Sequence, residues 1–215
     1  MKKIPQATIQ RLVVYYRYLN TIAKMDNEEV ICSKKLGCDV GVPSTQVRKD
    51  LSYFGEFGCQ GVGYNIMDLK KRLGKILCLD QNWKVVMIGA GNLSRALVNF
   101  PGFKQMGIEI VEVFDNDLDN IGNKISDLLV NNVKDLERVV VNRGIKMAIL
   151  ALPVEEAQLI AERLVNIGIK AIWNFAPVPL NVPDDVVVYY EDLSSSIVTL
   201  IYLLNESIKK SEQIV

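Results

Sequence analysis

Residues 85–94, Val85-Val86-Met87-Ile88-Gly89-Ala90-Gly91-Asn92-Leu93-Ser94, place a glycine turn directly between an apolar strand and a helix. Gly89 permits a tight turn, and Gly91 lets a pyrophosphate approach the backbone at the start of the helix, where N–H donors are free. Ser94 stands where Gly or Ala is preferred and is small enough for close helix–strand packing. The stretch predicts a dinucleotide site contacted by Gly89, Ala90, Gly91, Asn92 and Leu93.

An acidic residue follows at the spacing that such a site requires. The next apolar run ends at Asp115, 21 residues after Ser94, where a carboxylate accepts hydrogen bonds from the adenine ribose. The same carboxylate would repel the 2′-phosphate of NADP, so the sequence favours NAD. The alternative is an ordinary loop aspartate, because Asn116, Asp117 and Asp119 come next.

Short β-branched runs alternate with amphipathic stretches from residue 84 onward, which is typical of βαβ units with a buried parallel sheet. We expect strands at residues 84–88, 109–114, 146–152, 169–175 and 186–190, with a weaker one near 125–130. Helices are expected at 93–99, 132–143 and 154–167, the second capped by Asn131 or Asn132. The fold class is therefore α/β, with a doubly wound parallel sheet of the Rossmann type.

Two of these strands end in residues that belong at the nicotinamide side of the site, because ligands lie across the carboxyl ends of the strands. These residues are Ala151, Leu152 and Pro153 after one strand, and Asn174 and Phe175 after another. Phe175 either stacks on the nicotinamide ring or belongs to the core.

The first 80 residues have a different pattern. Pro5 opens an amphipathic helix, a short strand follows near residues 30–32, and a helix from Ser33 leads through a turn at 38–43 to a second helix that Ser44 would cap. Four glycines at 55–63 then favour a β-hairpin. This is the order of a winged helix, and its recognition helix would contact DNA through Ser44, Thr45, Gln46, Arg48 and Lys49. A solvated helix face is the alternative.

Charge and composition agree with two different domains. Residues 1–80 carry 13 basic against 8 acidic side chains, and residues 81–215 carry 12 against 17. A basic domain attached to an acidic one favours a nucleic-acid binder joined to another module. No apolar run is long enough for a membrane span, and the N-terminus lacks the apolar region of a signal peptide, so we expect a cytoplasmic protein.

The groups that dehydrogenases use to handle a substrate proton are missing. The sequence has no histidine, and no tyrosine has a lysine four residues later. The sequence therefore favours a sensor over an enzyme, although a small NAD-dependent oxidoreductase stays open as the alternative. The final segment, residues 193–208, is apolar around most of a helix and needs a surface to cover it.

Several of these stretches resemble one family. Residues 47–58, VRKDLSYFGEFG, continuing to Gly61-Val62-Gly63-Tyr64, are similar to the signature of the Rex family of redox-sensing repressors. The runs YYRYL at 15–19, GAGNL at 89–93 and NFAP at 174–177 fit the same family. Two positions depart from it: Ser94 where many relatives have Gly, and Phe100 where Tyr is expected.

The resemblance implies a homodimer that holds palindromic, double-stranded operator DNA with paired winged helices and releases it when NADH replaces NAD⁺. Gly61 and Tyr64 of the hairpin would add DNA contacts. We divide the chain into a winged-helix domain (1–80), a Rossmann domain (81–192) and a C-terminal helix (193–215) that is swapped into the partner. We expect coupling between the sites to use Phe100 and an ion pair of Arg17 with Asp192; the alternative is that Arg17 and Asp192 are two unrelated surface charges.

Overall fold

The computed structural model describes residues 4–25, 29–55, 57–58 and 62–212, and the chain divides into two compact units, residues 1–81 and 82–215. The first unit contains α1 (Gln6–Met25), β1 (Val30–Ile31), α2 (Ser33–Val40), α3 (Ser44–Ser52), β2 (Tyr64–Asn65) and α4 (Ile66–Ile76). Strands β1 and β2 pair antiparallel. Leu12, Tyr15 and Leu19 form one buried face of α1 and pack in a core shared with α2, α3 and α4.

The helix-turn-helix is present, but its turn is shorter than expected. Helix α2 continues to Val40 and ends at Gly41, whose φ of +71° suits a residue without a Cβ. The expectation that Ser44 caps α3 is wrong, since Ser44 is the first helical residue and Pro43 takes the cap position. The Pro43 carbonyl accepts from the N–H groups of Gln46 and Val47 at 2.9 and 3.1 Å.

Helix α4 adds to the elements expected from the sequence. Asn65 caps it by accepting a hydrogen bond from the N–H of Asp68 at 2.9 Å, and Ile66, Leu69 and Leu73 form its buried face. The expected hairpin near residues 55–64 lies partly outside the described residues. Gly61, one of the expected DNA contacts, is among the residues not described.

The second unit is built on a seven-stranded sheet in the order β5-β6-β4-β3-β7-β8-β9. Its strands are β3 (Trp83–Ile88), β4 (Ile108–Asp115), β5 (Lys124–Ile125), β6 (Leu128–Asn132), β7 (Met147–Leu150), β8 (Ala171–Asn174) and β9 (Val187–Tyr190). All neighbouring pairs are parallel except β5 with β6. Without β5, this is the doubly wound strand order, so the expected fold class is confirmed.

Helices α5 (Asn92–Val98), α6 (Pro101–Gln105), α7 (Leu136–Arg143) and α8 (Val154–Asn166) cover the sheet. Successive residues of β3 enter opposite cores: Val86 and Ile88 pack in the core shared with α7 and α8, and Val85 and Met87 pack on the other face. Asn132 accepts from the N–H of Lys134 and caps a short 3₁₀ turn that precedes α7, which therefore begins later than expected.

The chain order of the strands reverses between β3 and β7, and this reversal positions the candidate ligand site. The loops that follow these two strands lie side by side at the carboxyl edge of the sheet, where doubly wound proteins bind ligands. After β9, the chain continues into a long final helix, α9 (Leu193–Glu212).

Candidate functional site

The glycine turn after β3 is built against the loop after β7. Gly89 has a φ of +99°, and a Cβ on this residue would stand 2.2 Å from the carbonyl oxygen of Ala151. Hydrogen bonds from Gly89 N–H to Phe114 O at 2.8 Å and from Ala151 N–H to Ile88 O at 2.9 Å tie the turn to both neighbouring strands. Only glycine fits at position 89 without moving backbone.

Gly91 serves a different purpose, because a Cβ built on it would meet no other described atom within 4 Å. The open space in front of Gly91 leaves room for a ligand at the start of α5. Ser94 is fully buried, and its hydroxyl finds no partner among the described residues. Its role is therefore close packing, as the third position of such a turn requires.

Asp115 reaches back from the end of β4 to this turn. Its Oδ2 accepts from the N–H of Ala90 at 2.7 Å and from Nδ2 of Asn120 at 3.1 Å. Its Oδ1 accepts from the N–H of Asp117 at 2.9 Å. The carboxylate is buried, with 7% of the residue exposed, and is held beside the turn.

A cavity of about 240 Å³ opens next to Asp115. Its apolar walls come from β3, the loop after β7 and helix α8, and its polar rim comes from the loops after β4 and from α8. The lining residues are Ile88, Asp115, Asn116, Val133, Leu152, Glu156, Leu159, Ile160 and Arg163. Apolar walls with the carboxylates of Asp115 and Glu156 at the edge suit a flat base attached to a ribose.

Arg163, on the rim of this cavity, is already paired. Its guanidinium donates three hydrogen bonds to the carboxylate of Glu137 at 2.8–3.0 Å and one to the carbonyl of Val133 at 3.0 Å. Burial raises the pKa of Glu137, but the hydrogen bonds from Arg163, a backbone hydrogen bond and the positive charge of Arg163 together hold this pKa below its usual range. The charge of Arg163 is therefore balanced without a ligand phosphate.

The side chain of Asn174 holds the loop after β8 in its conformation. This buried side chain donates to the carbonyls of Ala176 and Val178 at 3.1 and 3.0 Å, and its Oδ1 accepts from the N–H of Ala176 at 3.0 Å. Because both N–H groups of the carboxamide are used, Asn174 positions the loop and hence Phe175.

Phe175 is the end of a row of aromatic rings. Its centroid lies 4.7 Å from that of Trp173, Trp173 lies 6.1 Å from Phe103, and Phe103 lies 5.2 Å from Phe100. The row leads from the carboxyl edge of the sheet to Phe100, which is 48% exposed. The surroundings of Phe175 are therefore apolar.

In the first unit, α3 presents a basic face. Thr45, Arg48 and Lys49 are exposed, Ser44 and Gln46 are half-buried, and Val47 and Leu51 are buried. Arg48 donates to the hydroxyl of Ser33 on α2 at 3.0 Å. Tyr64, expected at the DNA, is only 9% exposed and packs in the core of this unit.

The least expected feature of α3 is Asp50, a fully buried carboxylate. Arg11 donates to both of its oxygens, Nε at 2.6 Å and an NH₂ group at 2.7 Å. The hydroxyls of Thr8 and Tyr15 donate at 3.2 and 2.9 Å, and Nε2 of Gln46 donates at 2.8 Å. We call these five residues the Asp50 cluster, and it attaches α3 to α1.

Sequence patterns did not reveal this cluster, because an aspartate between Lys49 and a leucine resembles a solvated charge. The only signal available was position: Asp50 lies three residues after Val47, on the face of α3 that must be buried. Of the proposed coupling residues, Arg17 is exposed on α1, and Asp192 caps α9 by accepting from the N–H of Ser194 at 2.9 Å. Their pairing stays a prediction.

Helix α9 carries a long apolar surface. Nine of its large apolar side chains are between 47% and 63% exposed: Leu193, Ile197, Val198, Leu200, Ile201, Tyr202, Leu203, Leu204 and Ile208. No helix in the described part of the chain meets the length and apolarity that crossing a membrane demands.

Comparisons with known proteins follow the division into two units. A family model described as "Putative DNA-binding protein N-terminus" matches residues 3–52, and one described as "CoA binding domain" matches residues 80–178. The redox-sensing transcriptional repressor Rex of Desulforamulus reducens is 48% identical over 202 residues, covering 94% of this chain and 96% of the relative. Rex of Carboxydothermus hydrogenoformans is 48% identical over 200 residues, covering 93% and 96%.

Solved structures give the same result. A crystal structure of RSP in complex with β-NAD⁺ and operator DNA is similar with a TM-score of 0.89 at 41% identity, covering 99% of this chain and 97% of that one. A crystal structure of RSP in complex with β-NADH has a TM-score of 0.88 at 39% identity, with 99% of each chain covered.

Proposed function

The chain belongs to the Rex family of redox-sensing transcriptional repressors, and from this premise we propose that it binds a palindromic operator as a homodimer and releases it when NADH replaces NAD⁺. The observation that carries the proposal is the arrangement around Gly91, where an open glycine turn, a tethered Asp115 and an apolar cavity adjoin one another. The first unit of the same chain presents a basic helix, α3, which would serve as the recognition helix.

The residues present fit a nicotinamide adenine dinucleotide. Gly91 and the start of α5 would hold the pyrophosphate, Asp115 the adenine ribose, and the cavity lined by Leu152 and Ile160 the adenine. Bound there, the dinucleotide supplies a ring that is neutral when reduced and cationic when oxidised. The loops after β7 and β8, with Pro153 and Phe175, would enclose this ring.

The apolar row at Phe175 supplies a physical reason for discrimination. A cationic ring must lose hydration to enter apolar surroundings, whereas a neutral ring loses little. Only such a difference in affinity can shift the balance between DNA-binding and released dimers. By linkage, operator DNA must weaken NADH binding by the factor by which NADH weakens DNA binding. We propose that Phe100 and the pair of Arg17 with Asp192 carry part of this coupling.

We propose that the protein has no catalytic activity of its own, since its relatives are named repressors and the sequence has no histidine. A small NAD-dependent oxidoreductase is the competing function. Turnover of NADH with a panel of carbonyl substrates would support it, and this measurement separates the two functions.

The proposal for DNA places the exposed face of α3 in a major groove, with two copies of the chain matching the symmetry of a palindrome. Arg48→Ala and Lys49→Ala should each weaken operator binding and leave NADH affinity unchanged. Loss of a phosphate contact would reduce the slope of log binding constant against log salt concentration by about 0.9. Loss of a base contact would reduce the binding free energy by about 1–3 kcal/mol and relax specificity at one base position.

The measurement is a gel shift on a palindromic operator at several salt concentrations, with and without NADH. Lys124→Ala, an exposed lysine of the second unit, is the matched control and should bind as the wild type does. Operator binding that ignores NADH would refute the sensor, and full binding by both α3 variants would show that this face of α3 is merely solvated.

Asp115 should make NADH bind more tightly than NADPH, because its carboxylate accepts from ribose hydroxyls and repels phosphate. Arg163 is committed to Glu137, so the described rim offers no free arginine for a 2′-phosphate. Asp115→Ala should reduce the difference in affinity between NADH and NADPH. It should also weaken NADH binding about tenfold or more, the loss expected for hydrogen bonds to a charged group.

Fluorescence titration with NADH and NADPH checks this prediction. Asp119→Ala removes an exposed carboxylate from the same loop and should keep the wild-type preference. Equal affinity of the wild type for both nucleotides would show that Asp115 is misplaced.

A further inference from the structure

The Asp50 cluster determines the direction in which one DNA-facing side chain presents its hydrogen-bonding groups. Gln46 lies one helical turn before Asp50, at the border between the buried and exposed faces of α3. Its Nε2 donates to Oδ1 of Asp50 at 2.8 Å. Within the described residues, no other hydrogen bond of the Gln46 side chain occurs.

The orientation of this carboxamide follows from the chemistry of its partner. Asp50 accepts from Thr8, Arg11, Tyr15 and Gln46, with bonds reaching both carboxylate oxygens. An ionised carboxylate only accepts, so the amide group of Gln46 must face it with nitrogen. Turning the amide over would place two oxygens against each other beside a buried negative charge.

The consequence is a defined pattern at the tip of Gln46. A carboxamide nitrogen carries two hydrogens, so one N–H is held by Asp50 and one is left, together with the acceptor Oε1. An acceptor beside a donor is the complement of the adenine edge in the major groove, where N6–H₂ donates and N7 accepts. Guanine presents two acceptors there, O6 and N7. One of them would face the acceptor Oε1 and repel it unless the carboxamide flipped by about 180°.

We propose that Gln46 recognises an adenine in each half of the operator, and that Asp50 is the positioning residue that excludes guanine by preventing the amide from turning over. This rests on the proposed function, because it needs the exposed face of α3 in a major groove. Only one base pair per half-site is recognised in this way, and the DNA contacts proposed for Arg48 and Lys49 are unaffected.

The probe is a palindromic duplex selected by the wild-type protein from a random pool. Each adenine in turn is replaced by purine, which lacks the 6-amino group, or by 7-deazaadenine, which lacks N7. We expect one position per half-site at which either analogue weakens the wild type about tenfold. At this position alone, Gln46→Met should bind the natural and substituted duplexes equally.

Met keeps the length of Gln and removes its polar atoms, and Gln6→Ala, an exposed glutamine at the start of α1, is the control that should keep the wild-type pattern. If Gln46→Met is as sensitive to every analogue as the wild type is, the proposal is overturned while operator binding itself stands. If the wild type selects no duplex from the pool, the proposed function fails instead.

The positioning role of Asp50 has its own measurement, the ratio of affinities for adenine and guanine at the same position. Asp50→Asn offers Gln46 both a donor and an acceptor, so the amide can adopt either orientation and this ratio should fall toward one. Partial unfolding lowers both affinities by the same factor, so it can neither cause nor hide a change in their ratio. A ratio in Asp50→Asn equal to that of the wild type would therefore remove Asp50 from the recognition of the base.

Discussion

Asp50→Ala should destabilise the first unit by about 3–5 kcal/mol, the usual cost of removing one partner from a buried ion pair. The change leaves the guanidinium of Arg11 without its carboxylate and the buried hydroxyls of Thr8 and Tyr15 without their acceptor. Domains are stable by only about 5–15 kcal/mol, so most of the stability would be lost. Operator binding should disappear while NADH still binds.

The two units can be followed separately in one denaturation experiment. Both tryptophans, Trp83 and Trp173, belong to the second unit, so their fluorescence reports that unit, whereas operator binding reports the first. Asp39→Ala is the matched control, because Asp39 accepts from the hydroxyl of Tyr18 but is exposed. Equal stability of Asp50→Ala and Asp39→Ala would contradict the cluster.

The Asp50 cluster makes the stability of the first unit depend on pH in the acidic range. Burial alone would raise the pKa of Asp50, but hydrogen bonds from Arg11, Gln46 and Tyr15 outweigh it and hold this pKa below its usual value. A depressed carboxylate pKa contributes stability above the unfolded value of about 3.9 and loses it as pH falls toward the folded value. The gap in stability between wild type and Asp50→Ala should therefore be constant from about pH 5 to 8 and shrink below about pH 4.

The parts of the candidate site that could be predicted from sequence are those that depend on a few neighbouring residues. The glycine turn was predictable because its requirements are confined to a few consecutive residues: a positive φ at Gly89, open space at Gly91 and a strand before them. Asp115 followed from spacing along one βαβ unit. The parallel order of the sheet followed from the alternation of apolar runs with helices.

Features that depend on residues distant in sequence were missed. Asp50 accepts hydrogen bonds from Arg11 and Thr8, which lie 39 and 42 residues away, and no local sequence pattern predicts these contacts. Asn174 donates to two carbonyls of its own loop, a local use that its sequence did not reveal, and its contact with the ligand stays a prediction. Pairing of β2 with β1 places Tyr64 in the core of the first unit, and its contact with DNA stays a prediction.

Removing residues 193–215 should abolish the dimer. Nine large apolar side chains of α9 are about half exposed or more, and an exposed apolar surface of this extent marks an association site. Obligate homodimers typically bury about 2,000–5,000 Å² of such surface. Because α9 lacks a polar face along its apolar stretch, we expect a second copy of the chain to cover it on more than one side.

Sedimentation velocity of the full chain and of the truncated chain measures this effect. Because the truncation exposes the surface that α9 would cover in the partner, the shortened chain could aggregate, so a point variant is needed beside it. Leu200→Lys places a charge in the middle of the apolar stretch and should shift the full-length protein toward monomer, by tenfold or more in the dimer dissociation constant. Lys209→Ala at the polar end of α9 is the control and should stay dimeric. A soluble, stable dimer of residues 1–192, or an unchanged dissociation constant in Leu200→Lys, would show that α9 does not form the interface, and the swap of this helix into the partner would have to be abandoned.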